Sequence, residues 1–248
     1  MFINHREFEQ VPDETIIWRY MPFDKFESLL LEESLFFTKI SCFHKIEGDL
    51  FEGRYNQRSR DNFINSRLIM GETLESIKND ENSIVRKNEE ALNRLNNKLH
   101  ELTLVNCWQI NEIESVGMWK LYAGYENGIA IQTTYGRLKE SFHFNETIIY
   151  GGKISYVDPE KHITTHGNTM TPFMEKRLFF IDENELRLLT VIPNENLDKN
   201  GRLISCDLVT LIESVYISPK CEVGFKMKVQ QLIKDLGGLN IEVKISKI

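Results

Sequence analysis

The sequence predicts an α+β fold, on three observations. Strand-like runs rich in β-branched and aromatic residues cluster in the second half, a long polar segment with helical spacing sits in the first half, and strands do not alternate with helices along the whole chain. A chain of 248 residues, 41% hydrophobic and 10% aromatic, can bury the core of one large domain. We therefore expect a single domain, 1–248, with a helical insertion over 54–104.

The chain opens strand, helix, strand. Thr15 to Tyr20 is β-branched and aromatic, Phe26 to Leu31 follows Pro22 and Asp24 at helical spacing, and Ser34 to Thr38 reads as the next strand. From Arg54 to Thr103 aromatics nearly vanish. Leu74, Ile77, Ile84, Ala91, Leu95 and Leu102 there form one narrow apolar stripe, the mark of a surface helix layer or a partner-binding surface. Arg54, Arg58, Arg60 and Arg67 crowd its start and would make a positive patch if they shared a face. Strands are expected at Thr103–Gln109, Gly128–Thr133, Thr147–Val157, Leu186–Val191 and Ser214–Ser218. Helical patches are expected at Ser115–Leu121, Thr171–Phe179 and Gly224–Leu236.

Composition excludes several classes. The net charge of -7 argues against a globally basic nucleic-acid binder while leaving room for a local basic groove. No apolar run reaches the roughly 18 residues a membrane span needs, and the first residues carry no signal-peptide pattern, so a cytoplasmic protein without a membrane partner is expected. Cys42, Cys107, Cys206 and Cys221 are far apart and form no CxxC pair, which fits reduced thiols. Phosphate loops, HExxH and GxSxG are all missing. His162 and His166 alone sit at a helical ligand spacing, in a Thr/Gly-rich loop, and no metal is expected.

The segment from Phe179 to Leu189 stands apart. Strand alternation would put Glu183, Glu185 and Arg187 on one face, with the two carboxylates roughly 7 Å apart. Repulsion between them would raise one pKa unless a cation such as Arg187 compensates. Such a pair suits general-base work or stabilisation of a developing positive charge. A solvated edge of a half-buried strand is the competing interpretation. Trp108, Trp119 and Tyr122 are either core, with Trp119 and Tyr122 on one helical face, or a stacking wall for a planar ring.

Taken together, Trp18-Arg19-Tyr20, Leu35 to Thr38, Asp49 to Gly53, Met118 to Ala123 with Gly128 to Ile131, Glu183 to Arg187, and Val215 to Pro219 resemble the bacterial domain-of-unknown-function family 2971. The resemblance spans nearly the whole chain, although the acidic-Pro turn expected of the family is Asp49-Leu50 here. That family is in turn similar to the ADP-ribosyltransferase superfamily, toxin and phage-defence members in particular. The resemblance implies a split β-sheet core gripping NAD as co-substrate. It places Arg19, or Tyr20 in its stead, at the first motif, Tyr122 with Trp119 in the middle, and Glu185 on the late strand. Thr38, Glu183 and Arg187 would complete the cofactor site. Glu185 would stabilise the oxocarbenium-like transition state, Arg19 would hold the diphosphate or the adjoining ribose, and Glu183 would serve the acceptor.

Implied acceptors are a nucleic acid, RNA or DNA, or a protein, with an antitoxin or chaperone as a possible regulatory partner. A catalytically inactive nucleotide- or partner-binding module and an NAD glycohydrolase are the alternatives.

Overall fold

Residues 1–45, 52–68, 84–124, 126–164, 168–192, 199–237 and 241–248 are described by a computed structural model. A mixed sheet of ten strands frames it. The path runs β1 (Phe2–Asn4), β6 (Ile149–Lys153), β9 (Glu185–Val191), β4 (Thr103–Ile110), β2 (Ile16–Pro22), β5 (Gly128–Thr134), β11 (Ser214–Ile217) and β12 (Glu242–Ile245). The two outermost pairs, β1 with β6 and β11 with β12, are parallel, and the pairs between them are antiparallel. A separate parallel pair joins β7 (Ser155–Val157) to β8 (Glu175–Arg177).

The sheet forks at β4. One edge of β4 pairs along its length with β9. The other edge is shared: Gln109 and Ile110 pair with Trp18 and Ile17 of β2, while Leu104 and Val105 pair with Lys39 and Thr38 of β3 (Ser34–Lys39). β10 (Gly201–Ser205) then extends β3. Between those contacts no strand among the described residues pairs with that edge of β4, and side chains take over. Arg19 Nη1 donates to the Cys107 carbonyl at 2.7 Å, and Asn106 Nδ2 donates to the Phe36 carbonyl at 3.0 Å. Asn106 Oδ1 in turn accepts from Trp108 Nε1 at 2.7 Å. Unpaired buried backbone groups are costly, so these side chains are what allow the two strands to diverge.

Alternation along β4 and β9 divides the residues between two faces. Leu104, Trp108, Leu186 and Leu188 join the main core, which is roofed by α1 (Phe23–Glu32) through Phe26, Leu29 and Leu30 and by the helix Phe225–Leu232 through Phe225 and Val229. The opposite face carries two smaller apolar clusters. One gathers Phe8, Ile40, Val105, Ile154, Phe173, Met174 and Leu189; the other gathers Trp18, Tyr20, Trp119, Ala123 and Ala130. Cys107, Gln109, Glu185 and Arg187 lie on this face, between the two clusters.

Several expected elements change form. The strand expected over 147–157 is two, β6 and β7, and the helix expected over 171–179 is a 3-10 turn, Thr171–Met174, followed by β8 and a second 3-10 turn, Leu178–Glu183. Pro172 lacks an N–H and sits where the first turn can spare one, while pairing with β7 draws Glu175 to Arg177 out straight. The insertion contains α2 (Gln57–Leu68) and α3 (Ile84–Leu102); Leu74 and Ile77 lie outside the described residues. The buried face of α3 is polar as well as apolar: Asn96 donates to the Gly53 carbonyl at 3.3 Å, and His100 Nε2 meets the Glu52 carbonyl at 3.1 Å. Gly53 has φ +73°, and a Cβ there would fall 2.7 Å from the Phe173 ring. Among the described residues, no helix is long and apolar enough to cross a membrane.

Arg19→Ala would open a void beside Trp108 and strip the Cys107 carbonyl of its donor. It is expected to lower the unfolding free energy by about 2–4 kcal/mol in urea titrations. A loss below about 0.5 kcal/mol, typical of a surface site, would show that Arg19 does not support the fork.

Candidate functional site

The site is built on the turn that leads into β9. Asn184 adopts a left-handed conformation, φ 40°, and is held by Ile110: its Nδ2 donates to the Ile110 carbonyl at 2.7 Å, and Ile110 N donates to the Asn184 carbonyl at 2.9 Å. Glu183 therefore ends a 3-10 turn, and only Glu185 and Arg187 obey strand alternation. The expected three-charge strand face is corrected on this point: the kink at Asn184 takes Glu183 off the strand.

A lysine brings the two carboxylates together. Lys176 Nζ, from β8, bonds Glu183 Oε2 and also Glu185 Oε2 at 3.3 Å. The other oxygen of Glu185 accepts from Arg187 Nε at 2.6 Å. Arg187 is fully buried and uses its remaining nitrogens on the Phe173 carbonyl, at 2.8 Å, and on Glu52 Oε1. The Tyr156 hydroxyl accepts from Glu185 N at 2.8 Å. Tyr122 closes the outer end, its hydroxyl donating to Glu183 Oε1 at 3.0 Å.

Exposure grades along this chain of contacts. The Arg187 and Glu52 side chains are 0% and 1% exposed, Glu185 4%, Lys176 8% and Glu183 15%, so the network runs from core to surface. Three acids against two cations would be expensive to bury without these hydrogen bonds. Burial pushes the Glu185 carboxyl up, but Arg187 and Lys176 outweigh it and hold it down at about 2. For Glu52 burial dominates, and its pKa is raised in spite of Arg187 and Lys176. Burial also works against the Lys176 ammonium, yet Glu185 and Glu52 hold its pKa above the ordinary lysine value. Burial and then Glu183 raise the Tyr122 hydroxyl, and burial and then Glu185 raise the Cys107 thiol, so neither is a ready anion.

The expected site residues divide by sheet face. Tyr20, Trp119, Tyr122, Glu183, Glu185 and Arg187 collect on one side. Tyr20 packs edge-on against Trp119, with centroids 5.3 Å apart, and its hydroxyl accepts from Ser115 N at 2.9 Å. Arg19 is on the other side, its guanidinium 5.8 Å from the Trp108 ring centroid and committed to the fork. Its expected place beside Glu185 is thus corrected by strand parity, which separates Arg19 from Tyr20. Trp119 and Tyr122 do not share a helical face as expected, because the chain winds through a wider turn over Trp119–Ala123; Trp119 is buried and Tyr122 is 43% exposed. Thr38 shares the Glu185 face but sits opposite Val105, at the far end of β4 from Gln109 and Glu185.

Lys176, Glu52 and Tyr156 were not singled out by sequence reasoning. Lys176 lies between Glu175 and Arg177 and reads as surface charge, and Glu52 meets Arg187 only through a contact across 135 positions. His162 does have a carboxylate partner, since its Nε2 lies 2.8 Å from Glu175 Oε1 across the turn. His166 lies outside the described residues, as does Asp49. Among the described residues, no group of three or more His, Cys, Asp or Glu side chains is placed to hold a metal.

No protein-family model matches the chain, and no curated protein matches it.

Because the Glu185 pKa is lower folded than the ordinary carboxyl value of 4.5, its stabilising contribution is present above about pH 4.5 and is lost as pH falls toward 2. The contribution is on the order of 3 kcal/mol. Glu185→Gln is expected to lose about 3–5 kcal/mol at pH 7 and to show a shallower fall in unfolding free energy between pH 4.5 and 2.5 than wild type. Parallel curves for the two proteins would contradict the assignment.

Proposed function

We propose that this chain is an NAD-dependent ADP-ribosyltransferase, an effector of toxin–antitoxin or anti-phage type, acting on a nucleic acid or a protein. One observation carries the reading: Tyr122 and Glu183, 61 residues apart, are hydrogen-bonded at the surface end of a buried ion network, so the middle aromatic and the late acidic segment meet. The fork at β4 and the gathering of Tyr20, Trp119, Glu183 and Glu185 on one sheet face lend further support.

The reaction would break the bond between nicotinamide and ribose and join the ribose carbon to an acceptor oxygen or nitrogen, whose proton is released; nicotinamide leaves with the bonding pair. Positive charge develops on the ribose as the bond stretches, so a fixed carboxylate lowers the barrier. Both carboxylates have both oxygens engaged, but Glu185 is held by two cations at 4% exposure, whereas Glu183, shared between Lys176 and Tyr122, stands nearer the surface at 15%. We therefore assign the outer, ribose-facing role to Glu183 and make Glu185 the ionised support behind it. Tyr20 takes the first-motif position in place of Arg19, and Tyr122, the more exposed aromatic, would flank the nicotinamide.

The engagement of both Glu185 oxygens by cations also favours a second reading, an inactive module that binds a nucleotide or partner. Labelled NAD separates these possibilities when incubated with RNA, DNA, lysate protein or buffer alone. Transfer to one acceptor class is expected, with Glu183→Gln losing about 10²-fold or more while remaining folded. Nicotinamide release without transfer would identify a glycohydrolase. Absence of release by folded protein under every condition would leave the binding module.

A further inference from the structure

Among the described residues, Lys176 alone hydrogen-bonds to both Glu183 and Glu185. It extends from β8, a strand outside the main sheet, and its ammonium reaches Glu183 and, at 3.3 Å, Glu185, while lying 4.9 Å from the Phe180 ring centroid. Of its neighbours on β8, Glu175 binds His162 and Thr164, while the Arg177 guanidinium lies 5.7 Å from the centroid of the same Phe180 ring. The charged and titratable groups facing Lys176 come from five other segments. They are Glu185 and Arg187 from β9, Glu52 from the loop before α2, Tyr156 from β7 and Tyr122 from the turn over Trp119–Ala123, with Glu183 from the 3-10 turn that follows its own strand.

Arg187 already serves Glu185 and Glu52, but among the described residues Glu183 has no ion pair except that with Lys176. The Lys176 ammonium thus places a cation between two carboxylates that would otherwise repel each other. A protonated amine that is buried, hydrogen-bonded and faced by acids is also a poor nucleophile, which excludes a Schiff-base role.

We propose that Lys176 is a positioning residue: its ammonium holds the Glu183 and Glu185 carboxylates side by side. The consequence for catalysis rests on the transferase reading, whereas the pairing itself does not. If both hold, Lys176 defines the acidic limit of NAD turnover without touching the substrate.

The test is carboxyl NMR on Glu-labelled protein together with the pH profile of nicotinamide release. Lys176→Met is expected to move the Glu185 titration up by at least about one pH unit, and Lys176→Arg to restore it. The acidic limb of turnover should shift by the same amount in Lys176→Met. An unmoved Glu185 titration in folded Lys176→Met overturns the proposal. If Lys176→Met does not fold, the Lys176 ammonium is followed by nitrogen NMR in wild type and Glu183→Gln. It should titrate above the ordinary lysine value of about 10.4 in wild type and lower in the variant. A titration like that of surface lysines overturns the proposal. Shifted titrations in a protein that never releases nicotinamide would uphold the positioning role and defeat the transferase reading.

Discussion

The buried guanidinium of Arg187, held between Glu185 and Glu52, is the interaction on which the rest of the site depends. It is fully buried, and each of its three nitrogens has an acceptor: Glu185, the Phe173 carbonyl and Glu52. A cation in that position is tolerable only while all three contacts persist, because breaking a buried pair leaves an uncompensated charge. The contacts come from a strand, a 3-10 turn and the loop at Glu52 and Gly53, so Arg187 ties together segments distant in sequence. That loop is in turn held by Asn96 and His100 of α3. The helical insertion is thus coupled to the ionic network through Glu52.

Polar groups occupy the middle of a sheet face whose two ends are apolar. This explains how one face can carry both core and site. Tyr20 and Arg19 are neighbours in sequence yet serve opposite faces, the tyrosine bracing the Trp119 turn and the arginine supporting the backbone where β2 and β3 part. A ligand using Tyr122 and Glu183 would lie on the Tyr20 side and leave Arg19 behind the sheet.

Much of the frame was legible from local patterns. The strands at 15–20, 34–38, 103–109, 128–133, 186–191 and 214–218 all exist, because runs of β-branched and aromatic residues bounded by turn residues suit a pleated buried surface. β1, β10 and β12 were missed; each is short, and their places are set by strands far away in sequence, β6, β3 and β11. Strand parity correctly paired Glu185 with Arg187, and it failed at Glu183 because Asn184 takes a left-handed turn that alternation does not anticipate. Lys176 was illegible for a different reason. Among alternating charges nothing local distinguishes a lysine aimed inward from one in solvent, and only the β7 pairing aims it at Glu183 and Glu185.

In the proposed transferase the Tyr20, Tyr122 and Glu183 side of the sheet is the functional face, and the ionic network behind it keeps Glu183 in place. The most direct measurement is a crystal structure of the protein soaked with NAD. The account predicts the nicotinamide riboside beside Tyr122 and Glu183, with Arg187 still bridging Glu52 and Glu185. NAD bound on the Arg19 side of the sheet, or bound at Glu183 with the Arg187 bridge broken, would contradict it.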